Sequence, residues 1–241
     1  MSEIHTIPHD SWASEYDILF NESFGMFLQQ LTELTVETIT SLKPTPANVL
    51  DVGAGTGRLS IPLAEIGYSV TAVDPSEGML GQLVQRLPGK VSTFVSPIEN
   101  FAINQQFHIA VCVFTVSSYW LSERQLQASL QVIYDHLVPG GSLIIDRTNE
   151  AAFADTVVET EFVRREARVM PLGDSRYQFT EDSEVTDHLG SRTVTDTFEI
   201  RYWTEKEMLT AADAVGFSKV EDLSDRFVGS GASFYRFIKT D

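Results

Sequence analysis

One stretch in the first third of the chain decides the fold, together with the apolar run that follows it: Val49-Leu50-Asp51-Val52-Gly53-Ala54-Gly55-Thr56-Gly57-Arg58, then Val70-Thr71-Ala72-Val73-Asp74. The apolar residues up to Val52 predict a strand, and the pattern that opens at Arg58 predicts a helix. The glycines between them allow a sharp turn and let a ligand approach the backbone where a Cβ would clash. A helix start also presents unpaired N–H groups to whatever binds there. The stretch therefore predicts a strand, a tight turn and a helix that together bind a ligand.

The second apolar run ends in an acid whose position indicates the kind of ligand. Asp74 follows the predicted strand 69–73, about twenty residues after the glycines, where a carboxylate can accept hydrogen bonds from both hydroxyls of a ribose. The dinucleotide fingerprint G-x-G-x-x-G requires its third glycine at the position of Arg58, so the spacing argues against a pyrophosphate. The predicted ligand is a nucleoside without a diphosphate.

Two segments resemble motifs of the class I methyltransferases that use S-adenosylmethionine. The pattern D-x-G-x-G-x-G at residues 51–57 is similar to motif I of that family, and V-D-P-S-E-G-M-L at residues 73–80 is similar to its V-D-x-S-x-x-M-L segment. The turn L-V-P-G-G at residues 137–141 and the segment 202–217 add to the resemblance, which covers most of residues 45–240. The resemblance implies S-adenosylmethionine as the cofactor.

The resemblance also implies which residues hold this cofactor. Asp51 would hold its ammonium group, Asp74 would bind its ribose, and Met79 would lie over its adenine. Many relatives carry an aspartate after the third strand for the adenine amino group, but this chain has Pro97 at that position, which leaves the backbone or the acid just downstream. The predicted cofactor-binding residues are Tyr16, Asp51, Gly53, Ala54, Gly55, Arg58, Asp74, Pro75, Met79, Ile98, Glu99 and Phe114.

Aromatic residues and one arginine are the candidates for the substrate side of the site. The resemblance implies that Tyr16 closes over the methionine end of the cofactor, although an aromatic anchor for the first helix fits the same position. Tyr119 and Trp120 follow the fourth strand, at the sheet edge where open α/β folds bind ligands, and they form either a wall of the site or part of the core. Arg147, after the fifth strand, could orient an anionic group of the substrate or form a salt bridge.

None of the five histidines can be assigned as a catalytic base, so the catalytic residue stays unknown. His108 is expected at a strand entry, His136 at a helix end where its charge is favourable, and His188 at an exposed turn. His5 and His9 are expected in a disordered N-terminus. No His, Cys, Asp and Glu residues have the spacing of metal ligands, and no metal is predicted.

The chemistry of methyl transfer sets what the protein must supply. A methyl group on a sulfonium is already activated, so positioning and exclusion of water are the main requirements. The predicted function is transfer of the methyl group of S-adenosylmethionine to an amine or hydroxyl of a small molecule by in-line displacement. Two alternatives stay open, namely a non-catalytic module that senses S-adenosylmethionine and a nicotinamide-dependent Rossmann enzyme.

The composition restricts the partner and the compartment. The 241 residues include 34 acids and 17 bases, and the formal charge of −17 argues against nucleic acid as a substrate. No apolar run reaches roughly eighteen residues, and the N-terminus lacks a signal-peptide pattern, so a cytoplasmic protein without a membrane partner is predicted. The single cysteine, Cys112, lies in an apolar run and is expected to be a buried thiol.

Strands that alternate with helical segments predict an α/β fold with a parallel sheet and helices on both faces. The resemblance implies a Rossmann-like sheet of seven mostly parallel strands in the order 3-2-1-4-5-7-6. The strands are predicted at residues 48–52, 69–73, 91–95, 107–115, 142–146, 218–222 and 233–239.

A β-rich segment interrupts this alternation. Residues 151–203 are expected to form an antiparallel β insertion after strand 5 that acts as a substrate lid. The whole chain, 1–241, is expected to be a single methyltransferase domain in which residues 1–43 add an N-terminal helical cap. The edges of the insertion could pair across a two-fold axis and make a homodimer. Within the insertion, strands are predicted at residues 162–169, 175–183 and 191–202.

Overall fold

The computed structural model describes residues 7–188 and 190–240, which form helices and two β-sheets. The α-helices are α1 (Ala13–Leu42), α2 (Ser60–Glu65), α3 (Glu77–Arg86), α4 (Glu123–His136) and α5 (Glu205–Val215). The strands are β1 (Asn48–Val52), β2 (Ser69–Asp74), β3 (Ser92–Val95), β4 (Phe107–Cys112), β5 (Leu137–Thr148), β6 (Thr156–Glu159), β7 (Val163–Gly173), β8 (Arg176–Asp187), β9 (Gly190–Arg201), β10 (Phe217–Asp222) and β11 (Ala232–Lys239).

The large sheet has seven strands in the spatial order β10-β11-β5-β4-β1-β2-β3. Counted along the chain within this sheet alone, the order is 3-2-1-4-5-7-6, so the predicted order is confirmed. β11 runs antiparallel to its neighbours β5 and β10, and the other neighbouring strands are parallel. The carboxyl ends of β1, β2 and β4 therefore meet at one edge, which is where open α/β sheets bind ligands.

Helices cover both faces of the large sheet. Successive strand residues point to opposite faces, and apolar residues on each face pack against helices. On β4, Ala110 packs in the cluster that contains α4 and α5, whereas Val111 packs in the cluster that contains α1 and α2. The predicted α/β arrangement with helices on both faces is thereby confirmed. Within the described part of the chain, no helix combines the length and the apolar character needed to cross a membrane.

The second sheet, which we call the small sheet, consists of β6, β7, β8 and β9 in that order, and all neighbouring strands in it are antiparallel. Val163 on β7 and Val185 on β8 pack against Leu19 and Phe20 of α1. Three of its strands match the predicted ones, and β6 at the sheet edge is additional. The sequence does not reveal β6 because Thr156–Glu159 is only four residues long and does not alternate apolar and polar residues.

β4 ends earlier than predicted, at Cys112 rather than at residue 115. Phe114 and Thr115 have φ values of 72° and 67°, in the left-handed region, which cannot continue a strand. Their backbone N–H groups donate to one carboxylate oxygen of Asp146, at 2.8 and 3.4 Å respectively. A side chain on the neighbouring strand therefore closes a turn that the local sequence does not indicate.

Candidate active site

A cavity of about 760 Å³ lies at the carboxyl ends of β1, β2 and β4. Its walls come from the glycine loop, residues 53–57, from α1, and from the face of the small sheet that points toward α1. Ligand pockets usually have volumes of roughly 300–1,000 Å³. The cavity therefore has the volume of a small-molecule binding site.

Contacts behind the glycine loop leave no room for side chains. Gly53 has a φ of 69°, and a Cβ there would lie 2.5 Å from a methyl group of Val116. Gly57 has a φ of 95°, and a Cβ there would lie 2.5 Å from a methyl group of Leu83 on α3. The N–H of Gly53 donates to the carbonyl of Val73 at 2.8 Å, which fixes the loop to the end of β2. The third glycine therefore permits close packing against α3.

Asp74, at the end of β2, lies in the cavity wall and is only 9% exposed. One carboxylate oxygen accepts the N–H of Gly55 at 2.9 Å, and the other accepts the N–H of Ser76 at 2.8 Å. Burial raises the pKa of this carboxyl, and the two hydrogen bonds oppose the shift. The side chain of Ser76 also caps α3 by accepting the N–H of Met79 at 2.9 Å. The loop, the strand end and α3 are thus positioned around one carboxylate.

Two further carboxylates are buried at the ends of β1 and β5. Asp51 accepts the hydroxyl of Ser60 at 2.6 Å, and burial raises its pKa to about 6. Burial likewise raises the pKa of Asp146 to about 6, although the hydrogen bond from the N–H of Phe114 and the charge of Arg58 both lower it. Oδ1 of Asp146 is buried and has no hydrogen-bond partner among the described residues. The cavity wall therefore contains a buried carboxylate oxygen that no donor of the described residues satisfies.

All twelve predicted cofactor-binding residues line this one cavity, as do Tyr119 and Trp120. The fold thus brings the motif I residues together with Tyr16 of α1 and with Ile98, Glu99 and Phe114 from the ends of later strands. Sharing a cavity is what their assignment requires, and the individual roles stay predictions.

Arg147 does not line the cavity, contrary to the expectation that it faces a substrate. Its guanidinium donates to the carbonyl of Trp203 at 3.3 Å and to the hydroxyl of Ser233 at 3.0 Å. The guanidinium also lies 5.8 Å from the ring centroid of Tyr202. These contacts join β5 to β11 and to the segment that follows the small sheet. The guanidinium of Arg147 therefore has a structural role and is not assigned as a substrate contact.

His9 contradicts the expectation of a disordered N-terminus. It is only 9% exposed, it lines the cavity, and its Nε2 lies 2.9 Å from the hydroxyl oxygen of Tyr119. Its backbone N–H donates to Oδ2 of Asp196 on β9 at 2.8 Å. The next residue, Asp10, accepts the hydroxyl of Ser76 at 2.7 Å. Residues 9 and 10 are therefore fixed between the small sheet and the start of α3.

The other described histidines lie at the positions expected for them, outside the cavity lining. Nδ1 of His108 accepts a backbone N–H of β1 at 3.1 Å. His136 ends α4, with Nδ1 2.7 Å from the carbonyl oxygen of Val132. His188 is exposed in the turn before β9, and His5 lies outside the described residues.

The small sheet supplies the wall opposite the glycine loop, and the sequence analysis did not identify its residues. They alternate along each strand, which is the signal that could have located them once the strands were assigned. Asp146 could have been found as an acid at the end of the predicted strand 142–146, the place that Asp74 occupies on β2. The alternating residues that line the cavity are Thr156 and Val158 on β6, Arg165 and Ala167 on β7, Phe179 and Glu181 on β8, and Phe198 and Ile200 on β9.

The sequence of this chain is similar to those of known methyltransferases. The family model described as a methyltransferase domain matches residues 49–141. The ubiquinone biosynthesis O-methyltransferase of Xanthomonas axonopodis pv. citri (strain 306) is 31% identical over 159 residues, which are 63% of this chain and 64% of that protein. The dTDP-3-amino-3,4,6-trideoxy-alpha-D-glucopyranose N,N-dimethyltransferase of Streptomyces venezuelae is 26% identical over 160 residues, which are 66% of each. The matched region thus spans less than two thirds of the length of these relatives.

Solved structures share the fold over almost the whole chain. The crystal structure of Streptomyces venezuelae DesVI has a TM-score of 0.81 at 22% identity and covers 98% of this chain and 100% of its own. The S-adenosylmethionine-bound structure of CalS10, an amino pentose methyltransferase from Micromonospora echinaspora, has a TM-score of 0.74 at 22% identity and covers 93% and 96%.

The chain has the fold of the class I methyltransferases, and its residues 49–141 match a methyltransferase domain. The resemblance inferred from the glycine loop and from Asp74 is confirmed, and residues 49–141 are the part of this chain that the family model matches.

Proposed function

We propose that this protein transfers the methyl group of S-adenosylmethionine to an amine or hydroxyl of a small molecule. The observation that carries the proposal is the convergence of three buried carboxylates, Asp51, Asp74 and Asp146, on one cavity beside the glycine loop. An excess of negative charge favours a ligand that carries an ammonium and a sulfonium and disfavours a diphosphate. The same convergence argues against the nicotinamide-dependent alternative.

The chain has a group that fits each part of this cofactor. Asp51 would hold the ammonium group, Asp74 would bind the ribose hydroxyls, and Met79 would lie over the adenine. Oδ1 of Asp146, which is buried without a partner among the described residues, supports a cationic ligand in the same cavity. S-adenosylmethionine supplies a methyl group that its sulfonium charge already activates. The protein then has to orient the acceptor and exclude water.

The wall that the small sheet provides favours an acceptor with an aromatic or apolar body. Phe179 and Phe198 stack at a centroid distance of 5.8 Å, and Phe153 lies 6.2 Å from Phe179. Phe20 and Ile200 line the same cavity. Burial of an apolar body against these rings would supply binding free energy and would displace water from the reacting atoms.

The cations in the described cavity lining are all engaged by other groups, which disfavours a phosphorylated acceptor. Arg86 pairs with Asp17, and Arg165 pairs with Glu181. Arg58 donates to the hydroxyl of Thr32 at 3.0 Å and lies in the field of the buried carboxylates. The relative from Streptomyces venezuelae is named for a dTDP-linked sugar. We infer that the acceptor here is an uncharged or cationic molecule, such as a phenol or an aromatic amine.

Calorimetry and a turnover assay test the proposal. S-adenosylmethionine and S-adenosylhomocysteine should both bind, and NAD should not. Phenols, aromatic amines and a dTDP-linked amino sugar would then be compared by the release of S-adenosylhomocysteine, and we expect turnover with members of the first two classes. Tight NAD binding without binding of S-adenosylhomocysteine would overturn the proposal. Cofactor binding with no turnover on any acceptor would favour the non-catalytic sensor.

We also infer a homodimer. β6 and β9 are the two outer strands of the small sheet, and an outer strand offers unpaired backbone groups to a second copy of the chain. The formal charge of −17 further supports a small-molecule partner over a nucleic acid.

A further inference from the structure

His9, Tyr119 and Asp196 come from distant parts of the chain and meet at the wall of the cavity. Nε2 of His9 lies 2.9 Å from the hydroxyl oxygen of Tyr119. Nδ1 of the same ring lies 3.4 Å from Oδ2 of Asp196. The order along this line of atoms is phenol, imidazole and carboxylate. Such an order can move a proton from one end and stabilise the resulting charge at the other.

Several contacts fix the imidazole in this place. His9 has a φ of 66°, an uncommon value for a residue other than glycine, and its N–H donates to Asp196 at 2.8 Å. The indole N–H of Trp12 donates to the same oxygen of Asp196 at 3.0 Å. The ring of His9 lies 5.0 Å from the ring of Phe198. A strained backbone that its surroundings hold in place is typical of a functional position.

The electrostatic setting gives each group a definite role. Burial raises the pKa of Tyr119 well above its usual value, so the phenol keeps its proton at neutral pH and is not itself the final base. Burial alone would raise the pKa of Asp196, but hydrogen bonds from His9 and Trp12 lower it overall, so this group is a carboxylate. Nδ1 of His9 makes no hydrogen bond within the described residues, but it lies 3.4 Å from Oδ2 of Asp196, and the negative charge there favours a proton on Nδ1. Nε2 is then left to accept the proton of Tyr119.

The titratable groups that face His9 come from each neighbouring element. Asp196 lies on β9, Tyr119 in the turn after β4, and Tyr16 on α1 with its ring 5.5 Å from the imidazole. Asp74 at the end of β2 is close enough for the charge of His9 to act on its pKa. Three acidic or phenolic neighbours and one further carboxylate surround the imidazole. Of these groups, the carboxylates of Asp196 and Asp74 are the ones whose pKa the charge of His9 lowers.

We propose that Tyr119, His9 and Asp196 form a proton relay that deprotonates the methyl acceptor; this inference rests on the proposed function. The acceptor hydroxyl or ammonium gives its proton to the oxygen of Tyr119 while Tyr119 gives its own proton to Nε2 of His9. The freed lone pair forms the bond to the methyl carbon, and the S–CH3 bond breaks with its electron pair left on sulfur. The imidazolium beside Asp196 releases its proton to solvent afterwards. Tyr119 contacts the acceptor, and His9 and Asp196 act through it as positioning residues.

Single-turnover kinetics at saturating S-adenosylmethionine test the relay. His9→Gln and Tyr119→Phe should each slow methyl transfer to a weakly acidic acceptor by roughly 100-fold, with S-adenosylhomocysteine affinity within about twofold of the wild type. The loss should shrink for acceptors of the same shape that are more acidic, because these are already deprotonated. Asp196→Asn should show the same trend with a smaller loss. His188→Gln, at an exposed turn outside the cavity lining, is the matched control and should be unchanged.

Equal losses for acidic and weakly acidic acceptors would overturn the relay, because a merely structural role slows both alike. A second measurement does not depend on turnover. In a nitrogen-15 histidine spectrum at pH 8, assigned with His9→Gln, His9 should be the tautomer with hydrogen on Nδ1. The tautomer with hydrogen on Nε2 could not accept a proton from Tyr119 and would also overturn the relay. Failure of the wild type to methylate any acceptor would instead count against the proposed function, and the tautomer would still decide the relay.

Discussion

At the scale of single residues, the carboxylate of Asp74 is the group on which cofactor binding should depend most directly. It is 9% exposed and already accepts the N–H groups of Gly55, in the glycine loop, and of Ser76, which precedes α3. Asp74→Ala should weaken the affinity for S-adenosylhomocysteine by more than tenfold, since a hydrogen bond to a charged group contributes roughly 1.5–3 kcal/mol.

Titration calorimetry would measure this affinity, with Asp213→Ala on the exposed side of α5 as the control. A thermal melt of each variant would separate loss of binding from loss of folding. An Asp74→Ala protein that folds and binds as tightly as the wild type would remove the ribose assignment.

The buried carboxylates also predict how binding depends on pH. Burial raises the pKa of both Asp51 and Asp146 from 3.8 to about 6. The folded chain therefore binds these protons more tightly than the unfolded chain does, and ionisation between those values lowers the stability of the cofactor-free protein. Binding of a cation uses the ionised forms, so its affinity should rise through this window.

We expect S-adenosylmethionine to bind roughly tenfold more weakly at pH 5 than at pH 7. Calorimetry at four pH values would measure the dependence, and Asp146→Asn should show a shallower one because one of the two titrating groups is gone. Identical profiles for the variant and the wild type would contradict a role for Asp146 in binding the cation.

The role of a single residue can be predicted from the sequence where it follows from the residues next to it along the chain. The glycine loop and Asp74 are predictable because their roles follow from spacing within one strand-turn-helix unit. His9 is not, because its position is set by Asp196, far along the chain on β9. Arg147 follows a strand that leads to the site, but its guanidinium is used by Trp203 and Ser233, and no local pattern indicates this.

At the scale of elements, the contact between α1 and the small sheet rests on an unusual buried ion pair. Arg165 pairs with Glu181 across β7 and β8, and its guanidinium lies 4.8 Å from the ring centroid of Phe20 on α1. Glu181→Ala would leave the guanidinium buried without its carboxylate. We expect it to lower the free energy of unfolding by about 3–5 kcal/mol, as measured by urea denaturation.

Arg168→Ala, on the same strand, is the matched control. Arg168 pairs with Glu166 and Asp182, but its side chain is 58% exposed, so its loss should lower the free energy of unfolding far less than the loss of Glu181 does. Similar, small losses for both variants would show that the Arg165–Glu181 pair does not stabilise the packing of α1 on the small sheet.

Element boundaries were predictable where burial alone sets them. β1 runs from Asn48 to Val52, as predicted, because its apolar residues are followed directly by the glycine loop, which ends the strand. β4 stops early because the carboxylate of Asp146 binds the N–H groups of two residues that the local pattern assigns to the strand. Tertiary contacts of this kind carry no signal in the segment that they alter.

At the scale of the whole molecule, the strand order was predictable through the family resemblance, because motif I and the acid after β2 occur in one known arrangement of strands. The division of the chain into a helical cap, 1–43, and an insertion, 151–203, stays a prediction.

The outer strands of the small sheet predict self-association. Sedimentation velocity at micromolar concentration should show a dimer, and Val157→Lys should weaken it, because Val157 is 62% exposed on the edge strand β6. Val228→Lys, also at an exposed apolar residue but outside the small sheet, is the control. A wild-type protein that sediments as a monomer across this range would rule the dimer out.

The adjacent residues His9 and Asp10 hold two different bodies of the molecule at once. One is hydrogen-bonded to Asp196 of the small sheet, and the other to Ser76, whose own N–H is bound by Asp74. The small sheet cannot move away from the end of β2 without breaking one of these links. We therefore expect the proposed acceptor side of the cavity and the predicted ribose site to open together, because one peptide unit links both of them.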